Sequence, residues 1–106
     1  MRRVGFQMQV KKERIAEYKE AHRQIWPEVC AAITRHGWHR YSLFMNEDGL
    51  VFGYFETDTD LATVLDGFLS EEVVQRWSKA NEGLVEIPEG GPKDALIELE
   101  EVFHLD

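Results

Sequence analysis

Cysteine is almost missing from this chain of 106 residues: Cys30 is the only one, so no disulfide can form within it, and a reducing, cytoplasmic setting is expected. Flanked by Val29 and Ala31 inside a helical pattern, Cys30 reads as a buried, inert thiol. Long apolar runs are lacking too. Arg2, Arg3, Gln7 and Gln9 interrupt the N-terminal stretch, and nothing approaches the roughly 20 apolar residues that cross a bilayer, which argues against a signal peptide and a membrane span. Basic residues are the minority, 12 against 20 acidic ones. The formal charge of −8 repels phosphate backbones and anionic lipid, and so argues against nucleic-acid or membrane partners. No cluster of His, Cys, Asp and Glu has metal-ligand spacing, so no metal is expected. Asp58, Asp60, Asp66, Glu71 and Glu72 read instead as helix caps and solvated helix positions.

What is present divides into short elements within one domain over residues 1–106. Val4, Phe6, Met8 and Val10 alternate with polar or small residues, the period of a half-buried strand. From Arg14 to His36, Ile15, Tyr18, His22, Ile25, Val29, Ala32 and Ile33 recur at helical spacing, with Gly37 as a stop. Pro27 falls inside that pattern and removes a backbone donor, which predicts a kink or break near Ile25 and Trp26. Residues 38–45 and 50–57 are aromatic and β-branched around the turn sequence Asn46-Glu47-Asp48-Gly49, a β-hairpin. A short helix over 58–67, capped by Asp58 or Thr59, and a second from Ser70 follow. Residues 81–94, with three glycines and two prolines, read as a long loop before a last strand over 95–105, where Glu98, Glu100 and Glu101 mark a wet edge or a rim. Strand, helix, strand, strand, helix, strand is the split βαβ arrangement: a ferredoxin-like α+β fold with a four-stranded antiparallel sheet and helices on one face. Trp38, Phe44, Phe52, Tyr54 and Phe55 exceed what one sheet face needs, so a second subunit or a ligand is expected on the other.

The chemistry concentrates on one helix. His22 lies four residues after Tyr18 and four before Trp26, which sets a titratable imidazole between two aromatic rings on one face. An imidazole titrates near neutrality, and aromatic rings with polar tips suit a ligand that has both C–H faces and hydroxyls, as a carbohydrate does. A core histidine bonded to a backbone carbonyl is the plainer reading of the same pattern, and Trp26 is expected to pack beside the Pro27 break. His36 and His39 read as surface residues.

Phe6 to Val10, Glu17-Tyr18, His22, Ile25-Trp26-Pro27-Glu28, His36-Gly37, Tyr41, Gln75-Arg76-Trp77 and Val102 to Leu105 together resemble the L-rhamnose mutarotase family over nearly the whole chain. That resemblance implies a homodimer of the dimeric α/β barrel type, its two sheets face to face, and a monosaccharide held between each sheet and its own long helix. It implies an isomerase that interconverts the α and β anomers of L-rhamnose, or a related aldose, without a cofactor. It assigns the proton donor to His22 and sugar contacts to Tyr18, Tyr41 and Trp77, with Ser78 where the family commonly carries a second tryptophan. Segment 87–92 and the final Asp106 also depart from the family pattern.

Anomer exchange opens the hemiacetal ring. The anomeric hydroxyl loses a proton, the ring oxygen gains one, and the aldehyde recloses on its other face. His22 suits the acid, and Tyr18, Tyr41 and His104 are candidates for the complementary carrier. Two other readings compete: an oxygenase or decyclase of the dimeric α/β barrel type, its cavity holding an aromatic compound or haem, and a non-enzymatic ligand-binding dimer module.

Overall fold

A computed structural model describes residues 1–106. The sheet contains β1 (Arg2–Gln9), β2 (His39–Met45), β3 (Leu50–Thr57) and β4 (Ile97–Leu99) in the spatial order β2-β3-β1-β4, with every pair antiparallel. Four helices accompany it: α1 (Ile15–Arg23), α2 (Pro27–Arg35), α3 (Leu61–Ser70) and α4 (Glu72–Ala80). Each crossover of the expected ferredoxin-like βαββαβ plan is thus a pair of short helices.

The break predicted at Pro27 is complete. Trp26 is extended (φ −65°, ψ 137°), as a residue before proline prefers, and Pro27 opens α2 at its first position, where the missing N–H costs nothing. The α2 helix closes on Gly37 (φ 89°), with Trp38 N–H donating back to the Ile33 carbonyl at 3.1 Å.

Several expectations are corrected. The cap of α3 is Asp60, whose side chain accepts from the Thr63 N–H at 2.8 Å, rather than Asp58 or Thr59; three potential caps in succession left the start open to a shift of one or two residues. Gly67 does not end that helix. It lies within α3, with the His36 ring packed where a Cβ would stand, and His36, expected at the surface, is half-buried and bonded to Glu71 at 2.5 Å. The thiol of Cys30 is exposed: Val29 takes the inward position on α2, and the next residue is turned about 100° away. The last strand is only three residues long, not the expected 95–105. Pairing with β1 ends at Leu99 opposite Gly5, although β1 runs three residues further to Arg2, opposite residues 100–102 in that register. Arg3 reaches Glu101 by an ion pair at 2.7 Å, and Val102, Phe103 and Leu105 stay exposed.

The five aromatics assigned to the free sheet face divide. Trp38 and Phe55 are buried with Val4, Phe6, Leu61, Val64 and Leu65 in the core between sheet and helices. Phe44, Phe52 and half-buried Tyr54 point away from the helices and share that uncovered face with Leu50, Ile97 and Leu99. A second core cluster gathers Val10, Tyr18, Val51 and Leu84. Gly53 keeps the middle of the sheet close-packed, because its absent Cβ would enter the ring of fully buried Phe6.

Candidate active site

A cavity of about 550 Å³ lies between the helical face of the sheet and the helices, touching both core clusters; 18 of its 25 lining residues are hydrophobic. Tyr18, His22, Tyr41, Trp77 and Ser78 all line it, so three separate elements, α1, β2 and α4, converge there. His104 does not. Its imidazole bonds Asp106 at 2.7 Å in the exposed tail, so of the three candidate second carriers only the two tyrosines reach the cavity of this chain.

The α1 helix places His22. One turn separates Tyr18 from His22, and the His22 Nδ1 donates to the Tyr18 carbonyl at 3.0 Å. A carbonyl can only accept, so the proton of the neutral imidazole sits on Nδ1, and Nε2 is the nitrogen that takes up or releases a proton. The backbone-bonded histidine anticipated as the plainer reading is therefore present, yet it leaves one nitrogen of a cavity-lining ring for chemistry. The Tyr18 ring lies 4.4 Å from the imidazole, centroid to centroid. On the other side stands Trp77 of α4, edge-on at 5.7 Å, rather than Trp26, which the break has carried onto α2. Trp26 accepts from Val29 and Cys30 N–H at the start of α2 and does not line the cavity.

Tyr18 is buried, and its hydroxyl has no hydrogen-bond partner. Leaving a buried hydroxyl unpaired costs about 1–3 kcal/mol, so this donor favours a polar group entering the cavity beside it. Burial pushes the phenol pKa well above its ordinary value. Burial does the same at Tyr41, reinforced by the Tyr18 phenol, so the two hydroxyls act on one another electrostatically.

Strand alternation alone would not bring Tyr41 here. Trp38 and Tyr41, three residues apart, belong on opposite faces of a regular strand, yet their rings meet at 5.0 Å. Between His39 and Ser42 the pairing with β3 slips by one residue, and Arg40 adopts φ 53°, the left-handed region that a side chain rarely occupies. This bulge turns both aromatic residues toward the helices. Arg40 itself is turned outward and pairs with Glu56 at 3.3 Å.

Sequence reasoning left the role of residues 81–94 open. They form one cavity wall: Asn81, Leu84, Val85, Ile87 and Pro92 all face in, continuing to Ala95 and Leu96. The segment is tied to β1 by Glu86 N–H to the Gln9 carbonyl at 2.9 Å and by Lys11 N–H to the Leu84 carbonyl at 2.8 Å. The only signal for this in the chain was its apolar residues among turn residues.

Residues 3–105 match the model of a protein family described as L-rhamnose mutarotase. The chain belongs to the L-rhamnose mutarotase family. It is 36% identical over 107 residues to the L-rhamnose mutarotase of Bacillus subtilis, each chain covered in full, and 36% identical over 107 residues to that of Klebsiella pneumoniae, with 99% of each covered. A crystal structure of L-rhamnose mutarotase from Formosa agariphila superposes with a TM-score of 0.77 at 28% identity, covering 100% of both chains. Membership in the mutarotase family favours the isomerase reading over the oxygenase and binding-module readings.

The raised tyrosine pKa values have a measurable consequence. Between pH 10 and the higher folded values, the unfolded chain releases protons that the folded one retains, so stability declines as pH rises, by about 1.4 kcal/mol per pH unit for each such phenol. Below pH 10 both states are protonated and the two tyrosines contribute no slope. Denaturant unfolding at pH 8, 10 and 11 should show a midpoint that falls only above pH 10, and Tyr18→Phe should flatten that fall.

Proposed function

We propose that this protein is an L-rhamnose mutarotase in which His22 Nε2 carries the proton. The observation that carries the reading is the unpartnered Tyr18 hydroxyl, buried one helical turn from an imidazole with one nitrogen committed to the main chain. A pyranose supplies what is missing: hydroxyls for the polar atoms and C–H faces for Trp77 and the apolar walls.

The reaction balances with one carrier. Imidazolium His22 gives its Nε2 proton to the ring oxygen, the bond from that oxygen to C1 breaks, and the electrons of the exocyclic oxygen form the C1=O double bond. That oxygen's proton then passes to the vacated Nε2, leaving the aldehyde and regenerating imidazolium. Because both oxygens are bonded to C1, one nitrogen can serve each in turn. Rotation about C1–C2 and the reverse sequence close the ring on the other face. With their pKa values raised, Tyr18 and Tyr41 keep their protons and act as hydrogen-bond donors that orient the sugar, not as bases. Ser78 contributes a small polar edge beside Trp77.

The uncovered sheet face supports a homodimer, since Phe44 is 63% and Phe52 43% exposed within a contiguous apolar patch. The deciding experiment is saturation-transfer NMR at anomeric equilibrium on L-rhamnose and several other aldoses, with and without protein. Accelerated exchange of L-rhamnose supports the reading; an unchanged rate for every sugar removes it.

A further inference from the structure

The cavity is larger than a monosaccharide, and its excess is chemically uniform. A 6-deoxyhexose of eleven non-hydrogen atoms fills roughly 200 Å³ at protein-like packing, against about 550 Å³ here. The polar atoms are not spread evenly. Tyr18 belongs to one core cluster, whereas Trp38, Leu65, Phe68, Leu69 and Leu96 belong to or pack against the other. At this second end the side-chain polar atoms are the Trp38 indole N–H, already spent on the Val64 carbonyl at 3.1 Å, and the Tyr41 hydroxyl. Phe68 packs edge-on to Trp38 at 5.8 Å, and Tyr41 stands between the two ends, in contact with Trp38 and electrostatically linked to Tyr18.

From this asymmetry we infer that the site accepts reducing sugars bearing an apolar substituent on a carbon other than C1, with the sugar ring at Tyr18 and His22 and the substituent in the annex walled by Trp38, Phe68, Leu69 and Leu96. The inference rests on the mutarotase reading and extends its substrate class. A second sugar ring suits the annex poorly, because its several hydroxyls would lose water with only the Tyr41 hydroxyl to partner them. A substituent at C1 is ruled out by the chemistry, which needs a free anomeric hydroxyl. An alkyl ether loses only apolar hydration, and each buried methylene favours binding about fourfold.

The test compares L-rhamnose with its 2-, 3- and 4-O-propyl ethers by saturation-transfer NMR on the whole protein, and repeats both on Leu69→Trp and Leu96→Trp, which fill the annex from two sides. At least one ether should exchange with KM about tenfold below that of rhamnose, and that advantage should vanish in the filled variants while rhamnose exchange persists. If rhamnose is exchanged but every ether is exchanged no better or is excluded, the annex inference is overturned and the mutarotase reading stands. Should an ether be exchanged and rhamnose not, the annex is supported and the rhamnose assignment falls; exchange of neither overturns both. If one variant misfolds by circular dichroism, the other decides, and the wild-type ratio of KM values stands independently of both.

Discussion

His22→Ala is expected to reduce enzyme-accelerated anomer exchange by about 10² to 10⁴, the range that a positioned acid–base group supplies, so that the rate falls to near that of water. The fold should survive. His22 is only half-buried, and its one hydrogen bond is to a carbonyl of its own helix. Circular dichroism and the thermal midpoint should therefore stay close to wild type while NMR exchange is lost. His22→Gln probes the same point from another side, because an amide can hydrogen-bond a sugar but cannot exchange a proton at neutral pH; it should bind rhamnose and leave exchange slow. Retained turnover in either variant would falsify the single-carrier mechanism.

Tyr18→Phe should move activity and stability in opposite directions. Without the hydroxyl, the sugar loses a buried donor, and the group left behind on the ligand is unsatisfied, so kcat/KM should drop by about 10- to 100-fold. The free protein meanwhile loses an orphaned buried polar atom and should gain about 1 kcal/mol, visible as a higher midpoint in urea. Tyr41→Phe serves as the control. Its hydroxyl is not among the unpartnered buried atoms, so the stability gain should be absent there. A Tyr18→Phe protein less stable than wild type would mean that the hydroxyl has a partner in the unliganded state.

The chain discloses the fold more readily than the site. Alternation in β1, the turn at residues 46–49 and the proline within the helical pattern each act locally, and each is realised close to where it was expected. Elements decided by distant neighbours were harder to read. β4 stops at Leu99 although β1 runs on past it, and Gly67 lies inside a helix with the ring of distant His36 packed where a Cβ would stand. In the site, the pairing of Tyr18 and His22 follows from helical spacing alone. Tyr41 does not, since a bulge and a left-handed arginine override the strand period that a sequence reader must assume. Trp77 replaced Trp26 beside the imidazole because the proline break rotates everything after Gln24 out of the frame of α1.

That break also isolates the helix bearing His22. Residues 15–23 have Tyr18 as their one buried side chain, so the cavity-lining phenol is also the segment's principal anchor. Whatever satisfies that phenol simultaneously fastens the imidazole one turn away. On the proposed mechanism, an occupied pocket is therefore expected to hold the imidazole more stiffly than an empty one.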